Sequence, residues 1–295
     1  MGSVSEGSKQ ERFRFIAEHR SRFGIRYLCS NLGVSHSGFY KWLNRPVSQR
    51  HESNTELESA IRKLFDIHDG NYGSPRIHRE LVNQGWNVNH KRVERIMREE
   101  RLVAKAAKLY RRKALPKNSC TMVENLRHNI PPASAPNQQW AGDVSYLKIN
   151  GVWLYLSVVL DLYSRKVVGW SLGKNRTTEL TLKSLEMAIN TRDINLGMIF
   201  HSDKGSEFGA HDFQNKLRSV GIRPSMNRPK TMTDNIHVES FFRTFKTESF
   251  HGVVFEDEEH LFDMTKWYLD EYYNTHRMHT SLGFKSPDQY ERMAA

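Results

Sequence analysis

The chain has 295 residues, and its 44 Lys and Arg against 33 Asp and Glu give a net charge of +11 with histidine neutral. No apolar window is long enough to cross a bilayer, and the first residues lack the apolar core of a secretion signal, so we expect a cytoplasmic protein without a membrane partner. The only cysteines in the sequence, Cys29 and Cys120, exclude a Cys-rich zinc site and favour a reducing compartment.

The excess positive charge lies in the amino-terminal part of the chain. Residues 1–130 have a net charge of +12, whereas residues 131–295 have a net charge of −1. Residues 101–117 contain seven basic side chains and no acid. Such a run favours contact with a polyanion, above all nucleic acid, and the alternative is a solvated basic linker. The candidate DNA contacts in this run are Lys105, Arg111 and Arg112.

Residues 1–50 predict a helix-turn-helix unit. A charged helix over residues 9–22 is followed by a helix from Ile25, a tight turn at Gly33 and a second helix, His36 to Leu43, capped by Ser35. The shared core is predicted to contain Leu28, Leu32, Val34, Phe39 and Trp42. The second helix of such a pair can enter a major groove. Its candidate base-reading side chains are His36, Ser37, Tyr40 and Lys41.

Residues 51–114 predict a second helix-turn-helix unit with a basic tail. A helix over residues 56–68 precedes a helix that begins with Ser74 as its cap and Pro75 as its first residue. Asn89 is predicted to cap the next helix, residues 90–101. Many helical pairs merely pack together, but two in tandem with basic second helices favour DNA contact. The outward-facing candidates are His90, Lys91, Arg92 and Arg95.

The hydrophobic period changes after a proline-containing linker, residues 115–137. Strands are predicted over residues 139–149, 152–162, 166–172, 198–201 and 222–226. Helices are predicted over residues 177–190, 211–220 and 234–250. Together they indicate an α/β domain over residues 138–255, with a mixed sheet and helices on both faces. A helical extension over residues 256–295, with helices over residues 258–274 and 287–292, completes the chain.

Three carboxylates stand out in the predicted core. Asp143 lies in a strand, Asp203 ends a strand before a glycine turn, and Glu239 lies in a helix, with 35 residues between it and Asp203. Each alone is explained as a strand-end, turn or surface acid. Both aspartates interrupt apolar runs, where an unpaired carboxylate is costly and metal ligation would offset the cost. Clustered hard oxygen ligands are what divalent metals need for phosphodiester chemistry.

The helix with Glu239 adds cations to the same face. Asn235, Glu239, Arg243 and Lys246 recur at helical spacing, so the helix can present metal ligands and phosphate contacts together. The alternative is an amphipathic surface helix with incidental charge. Lys204, next to Asp203, is a further candidate DNA contact.

Several motifs resemble one known family. They are Asp143 itself, His201-Ser-Asp203-Lys-Gly205-Ser, Asp234-Asn235 with Glu239 and Lys246, Tyr72-Gly-Ser-Pro-Arg76-Ile, and Tyr273-Asn-Thr-His-Arg277-Met-His279. This set is similar to the catalytic protein, read from the second of two overlapping frames, of bacterial insertion-sequence transposases of the "IS-three" family. That family belongs to the retroviral-integrase superfamily.

The resemblance implies an RNase H-like core with Asp143, Asp203 and Glu239 as catalytic and metal-binding residues, and with Arg243 and Lys246 on the element's terminal DNA. Arg277 and His279 of the closing motif either touch DNA or dock the carboxy-terminal segment. Asp161 is expected to be structural, with Arg165 or Arg176 as its partner.

The implied function is metal-dependent cleavage and strand transfer at insertion-sequence ends, with two Mg²⁺ ions per site, replaceable by Mn²⁺. Asp143 is expected to bridge the two ions. The partners expected are double-stranded DNA (terminal inverted repeats and target), further copies of the chain, and a first-frame protein. The chain is expected to be nucleoid-associated when bound. The alternatives are a metal-dependent nuclease without joining activity and a non-catalytic DNA-binding regulator.

Overall fold

The computed structural model describes residues 7–44, 49–108, 123–227 and 235–294. The chain divides into two compact units, residues 1–60 and 61–295. Within the described ranges, no helix combines the length and the apolarity that crossing a membrane requires.

The first unit contains the predicted helix-turn-helix. Its helices are α1 (Lys9–His19), α2 (Ile25–Asn31) and α3 (His36–Leu43). Ser35 caps α3 as predicted, because its hydroxyl accepts a hydrogen bond from Gly38 N at 3.1 Å. The core comprises Phe13, Ile16, Leu28, Cys29, Leu32 and Phe39, with Val34 and Trp42 half-buried against it. The first helix ends at His19, three residues earlier than predicted.

The next helices are α4 (Gln49–Ile67), α5 (Ser74–Asn83), α6 (His90–Glu99) and α7 (Lys105–Lys108). Asn89 caps α6 through a 2.8 Å bond from Lys91 N to its side-chain oxygen, as predicted. The predicted cap of α5 is wrong by one residue. Gly73 is the cap, and the Ser74 hydroxyl instead contacts His90 Nε2 at 3.3 Å, joining the starts of α5 and α6.

The second unit is built on a five-stranded mixed sheet. Its strands are β1 (Gln139–Ile149), β2 (Val152–Asp161), β3 (Val167–Gly173), β4 (Ile199–Ser202) and β5 (Arg223–Met226). The spatial order is β3-β2-β1-β4-β5. Strands β1, β2 and β3 pair antiparallel, and β4 and β5 continue the sheet in parallel from β1. This confirms the predicted RNase H-like mixed-sheet core.

Helices cover both faces of the sheet, as predicted. The helices between the last three strands are α8 (Thr178–Thr191), α9 (Ser206–Gly209) and α10 (His211–Ser219). They bury Leu185, Phe208 and Phe213 against the face that carries Trp140 and Val144 of β1. On the other face, Ala141 and Leu147 of β1 join the four buried apolar residues of α11 (Ile236–Phe245). The short helix α9 was not predicted.

Residues before β1 also contact the sheet. A 3-10 turn covers Leu126–Asn129. Leu126 N donates to the Ser225 hydroxyl at 3.0 Å, and Met226 N donates to the carbonyl of Glu124 at 3.3 Å. The carboxy-terminal part of the predicted linker therefore runs beside β5, whereas residues 115–122 lie outside the described residues.

The two long carboxy-terminal helices were predicted as continuous and are not. After α11 the chain is π-helical over Lys246–Phe250, and after α12 (Glu258–Lys266) it is π-helical over Trp267–Tyr273. The Thr247 and Ser249 hydroxyls donate to carbonyls four residues earlier, at 2.7 and 2.9 Å. Such bonds compete with backbone donors and favour a widened turn. A 3-10 turn (Thr280–Leu282) and α13 (Pro287–Arg292) follow.

Asp161 is structural as predicted; it forms an ion pair with Arg192 and also interacts electrostatically with Arg165, one of its two predicted partners. Its carboxylate accepts backbone N–H bonds from Asn137 and Tyr163 at 2.8 Å and faces Arg192 at 3.8 Å. It therefore ties the end of β2 to the end of α8, beside Trp140 of β1.

Gly169 is required where β3 meets α8. A Cβ there would overlap the Ser184 carbonyl oxygen and lie 2.9 Å from Ala188 N. Because both are backbone atoms of a packed helix, we expect Gly169→Ala to destabilise the protein by about 3 kcal/mol in chemical denaturation. Gly151→Ala is the control, since that site has no neighbour within 4 Å and only a positive φ, costing about 1–2 kcal/mol. Equal losses for the two variants would contradict this packing argument.

Candidate active site

Parallel pairing of β1 with β4 brings two of the candidate carboxylates side by side. The last paired residues are Gly142 and Ser202, and Asp143 and Asp203 come directly after them. Neighbouring strands lie about 5 Å apart, so the two aspartates leave adjacent strands at the same level. Both are half-buried.

The third carboxylate is on the helix that packs beside β1. Asp143 shares its face of β1 with Ala141 and Leu147, the face that α11 covers. The side-chain amide of Asn235, the cap residue of α11, donates to the Gly142 carbonyl at 3.2 Å. This bond fixes the start of α11 next to Asp143. Glu239 follows one turn later and is exposed.

The carboxylates do not form a ready-made metal cage. Among the residues that the structure describes, no three His, Cys, Asp or Glu side chains are grouped as a metal ion would need. Asp143 accepts a hydrogen bond from Val144 N at 2.7 Å, and Asp203 accepts one from Gly205 N at 3.0 Å. Backbone donors thus orient both strand carboxylates, whereas the side chain of Glu239 is exposed.

A further acid, Glu207, borders the site. A Cβ at Gly205 would lie 2.5 Å from a Glu207 carboxylate oxygen and 2.9 Å from an Asp203 oxygen. A Cβ at this glycine of the His-Ser-Asp-Lys-Gly motif would therefore displace one of the two carboxylates that flank its Cα. Glu207 is 4% exposed, and sequence reasoning did not select it.

Arg176 neutralises this acidic group. Its guanidinium Nε donates to Glu207 at 2.7 Å, and its Nη2 makes a second contact with the same oxygen. Burial lowers the pKa of Arg176, but Glu207, followed by Asp203 and Asp143, outweighs burial and raises that pKa above its ordinary value. A cation therefore faces the candidate metal ligands from the start of α8. In the sequence, the only sign of this role for Arg176 was its position directly before Thr177, the cap residue of α8.

His201 of the same motif is structural. It is fully buried, with Nδ1 2.9 Å from the Ser225 hydroxyl and Nε2 2.7 Å from the Asn227 side-chain oxygen. The ring therefore joins β4 to β5 and the residue after it, and so supports the loop that carries Asp203.

The predicted phosphate-contacting cations lie along α11. Arg243 is exposed, and the half-buried Lys246 places its ammonium 4.5 Å from the centre of the Tyr146 ring. Lys204 is half-buried beside Asp203. Asn235, predicted as a DNA contact, is only 2% exposed and is bonded to β1. Its observed contact is thus with the protein.

The predicted DNA readers of the helical regions are largely at the surface. All four candidates of α3, including Tyr40 and Lys41, are exposed. In α6, Lys91 is exposed, Arg92 is half-buried, and Arg95 pairs with Glu99 at 2.9 Å. Lys105 pairs with Asp69 at 2.6 Å. Arg111 and Arg112 lie outside the described residues.

A buried ionic cluster lies at the carboxy-terminal end of α11, and the sequence did not predict it. Glu248, in the π-helical turn, accepts two bonds of 2.7 Å from Arg277 and one of 2.8 Å from the Tyr268 hydroxyl. Arg76 of α5 lies 3.8 Å from the same carboxylate. Burial lowers the pKa of Arg277, but Glu248 outweighs burial and raises that pKa well above its ordinary value. Arg277 therefore docks the carboxy-terminal segment; the sequence alone had left DNA contact open.

The same cluster joins the two remaining motifs. The Tyr72 hydroxyl accepts a bond from Met278 N at 2.9 Å and donates to the His276 carbonyl at 3.3 Å. The Tyr72-to-Ile77 motif and the closing motif are thus parts of one packed region. The sequence signal for Glu248 was weak: an acid flanked by Phe245 and Phe250.

Three buried imidazoles make stability depend on pH. Burial, with nearby arginines, lowers the pKa of His68 and His237 to about 4 and that of His279 to about 2. The unfolded chain takes up these protons below about pH 6.5, whereas the folded chain does not. The free energy of unfolding should therefore fall between pH 6.5 and 4, by up to about 1.4 kcal/mol per pH unit for each histidine.

Urea denaturation at several pH values measures this dependence. His279→Gln should reduce the slope against pH, whatever it does to stability at neutral pH. A slope equal to that of the unaltered protein would refute the assignment of His279.

Comparison with known proteins identifies the family. Models of the integrase core domain match residues 133–231 and 220–287, and the model of an HTH-like domain matches residues 52–113. Transposase InsF for insertion sequence IS3A of Escherichia coli (strain K12) is 36% identical over 282 residues, covering 95% of this chain and 98% of that protein. The chain belongs to the IS3 family of insertion-sequence transposases. The uncharacterized 31 kDa protein of insertion element IS600 from Shigella sonnei is 32% identical over 272 residues, 91% of this transposase and all of that protein.

Solved structures that resemble this transposase are more distant. The HTLV-2 integrase catalytic core domain in complex with magnesium (trimeric form) is 20% identical, with a TM-score of 0.40, and covers 54% of the transposase and 98% of that chain. A chain of the simian T-cell lymphotropic virus intasome in complex with PP2A regulatory subunit B56 gamma is 17% identical, with a TM-score of 0.42. The match covers 78% of the transposase and 74% of that chain.

Proposed function

We propose that this transposase cuts and joins DNA at the ends of its insertion sequence by metal-dependent phosphoryl transfer, with Asp143, Asp203 and Glu239 as metal ligands. The observation that carries the proposal is the β1–β4 register, which ends at Gly142 and Ser202 and leaves the two aspartates adjacent. The bond from Asn235 to Gly142 adds the start of the Glu239 helix.

The donor set suits Mg²⁺ or Mn²⁺. Carboxylate oxygens are the ligands that hard divalent ions prefer, and three such side chains are held by two strands and a helix. Asp143, Asp203 and Glu239 together would hold two such ions. When bound, the ions supply Lewis-acid activation of the scissile phosphate and of an attacking water or 3′-hydroxyl.

The remaining side chains orient the site and its DNA. Asn235 holds α11 against β1, and the N–H groups of Val144 and Gly205 fix the two aspartates. Arg243 and Lys246 continue along α11 from Glu239 and would contact phosphates of the terminal DNA. Lys204 would add a contact beside Asp203.

We assign terminal-repeat recognition to two helical regions, residues 1–50 and 51–114, joined by a linker (115–137) to the core (138–255) and the extension (256–295). The support is the net charge of +12 in residues 1–130 and the exposed side chains of α3 and α6. Joining two element ends needs two active sites, so we propose that further copies of the chain assemble on DNA, with a first-frame protein as a second partner.

The test combines terminal DNA and target DNA in one reaction. Purified protein, a labelled duplex of the element end and a supercoiled plasmid are incubated with Mg²⁺, Mn²⁺ or EDTA. We expect strand cleavage and a labelled end joined to the plasmid, only with a divalent ion. Metal-dependent nicking without any joined product would instead indicate a nuclease. Specific binding to the end, without products in any metal, would indicate a regulator.

A further inference from the structure

Two exposed aromatic rings and two lysines form a surface patch next to the candidate active site. Tyr146 of β1 is 56% exposed and Trp153 of β2 is 47% exposed, and their ring centres are 5.3 Å apart at an interplanar angle of 75°. Lys148 lies over Trp153 at 5.1 Å, and Lys246 lies over Tyr146 at 4.5 Å. We call these four residues the aromatic-lysine patch.

The patch lies at a defined distance from the carboxylates. Tyr146 is three residues after Asp143 on β1, which is about 10 Å along a strand and on the opposite face of that strand. Lys246 is seven residues after Glu239, which is about 10 Å along a helix. Since Lys246 contacts Tyr146, β1 and α11 run side by side from the carboxylates to the patch. Pairing of β4 with β1 ends at Gly142, so a DNA strand that leaves the active site past this edge of β1 reaches the patch within a few nucleotides.

The chemistry of the patch fits unpaired nucleotides. Large aromatic rings left half in solvent are costly, and bases stack on such rings irrespective of sequence. A base that stacks on either ring displaces a lysine from the ring face and leaves its ammonium for the adjoining phosphate. Residues 131–295 have a net charge of −1, so lysines placed over both rings are not a consequence of general basicity. A paired duplex offers its base edges and phosphates, and a base face only at its last base pair.

We propose that the aromatic-lysine patch binds unpaired bases of the DNA strand adjoining the scissile phosphate, and so favours ends whose last nucleotides are open. This deepens the proposed function and rests on it for the position of the scissile phosphate. Tyr146 and Trp153 provide the stacking surfaces, and Lys148 and Lys246 contact the backbone on either side.

Binding measurements separate this inference from the catalytic proposal. The protein carries Asp203→Asn, and the buffer contains EDTA, so no product forms. The probes are two duplexes of the element end, with the last few nucleotides of one strand either paired or mismatched, and with 2-aminopurine at the mismatched position. We expect tighter binding of the open duplex and quenching of its fluorescence by stacking.

Trp153→Ala should weaken binding of the open duplex about 10- to 100-fold, abolish the quenching and leave the paired duplex nearly unchanged. Lys148→Ala should weaken both duplexes alike and reduce the salt dependence. Trp267→Ala is the matched control, because that tryptophan is 52% exposed but packs on Tyr272 in another part of the unit.

Equal affinity of Trp153→Ala and its parent for the open duplex would overturn the inference. The inference would also fail if Trp153→Ala lost self-association in sedimentation but kept the quenching of its parent. The patch would then be covered by a second copy of the chain. If the cleavage assay fails while the open-end preference and its loss in Trp153→Ala hold, the catalytic proposal falls and the binding site stands.

Discussion

Asp203→Asn should reduce both DNA cleavage and joining by at least about 1,000-fold, which corresponds to ~4 kcal/mol of the activation barrier. Asparagine keeps the size of the side chain, and its carbonyl oxygen can still accept the bond from Gly205 N. What it loses is the negative charge that a divalent ion requires beside Asp143. The measurement is the yield of cleaved and joined products with terminal DNA, a target plasmid and Mg²⁺.

The control for this variant is Asp193→Asn, which removes an exposed acid from the segment between α8 and β4. It should react at the rate of the unaltered protein. Binding of terminal DNA and the unfolding temperature should be the same for all three proteins. Joined product from Asp203→Asn at the normal rate would exclude this residue as a metal ligand.

Arg277→Met should destabilise the protein by about 3–5 kcal/mol, because it leaves the buried Glu248 carboxylate without its bidentate partner. Glu248 and Arg277 are 7% and 4% exposed, so water cannot replace the lost hydrogen bonds. For a unit of this size the loss corresponds to a decrease of about 10 °C in Tm. Thermal unfolding followed by circular dichroism measures it.

A second substitution tests the cause. Adding Glu248→Gln to Arg277→Met removes the unpaired charge and should recover part of the lost stability, giving a favourable coupling energy in the double-mutant cycle. Arg292→Met is the control, since that side chain is exposed at the end of α13 and should change stability by no more than about 0.5 kcal/mol. If Arg277→Met unfolds at the normal temperature, the cluster does not hold the carboxy-terminal segment.

The cluster also explains why parts of the chain far apart in sequence matter to the site. Glu248 lies in the π-helical continuation of α11, and its partners come from α5 and the closing motif. The end of the Glu239 helix is therefore held by the HTH-like region as well as by the sheet. The cluster thus connects Glu239 mechanically to a helix that sequence reasoning assigned to DNA binding alone.

Local patterns were sufficient for most elements of the fold. The caps Ser35 and Asn89 and the strands β1 and β2 each depend on neighbours in sequence, and the structure confirms them. The errors lie where side chains compete with local backbone bonds. Thr247 and Ser249 altered a predicted helix, and Gly73 rather than Ser74 capped α5.

The sequence by itself determined the family, the mixed sheet and the identity of the three candidate carboxylates, because residue type, spacing and period are local properties. Only the tertiary structure decided which groups surround those carboxylates. The Arg176–Glu207 pair, the bond from Asn235 to Gly142 and the Glu248–Arg277 pair join residues that are 31, 93 and 29 positions apart. Such contacts depend on how the sheet and helices pack in three dimensions, and no periodicity along the chain encodes the partner of a buried charge.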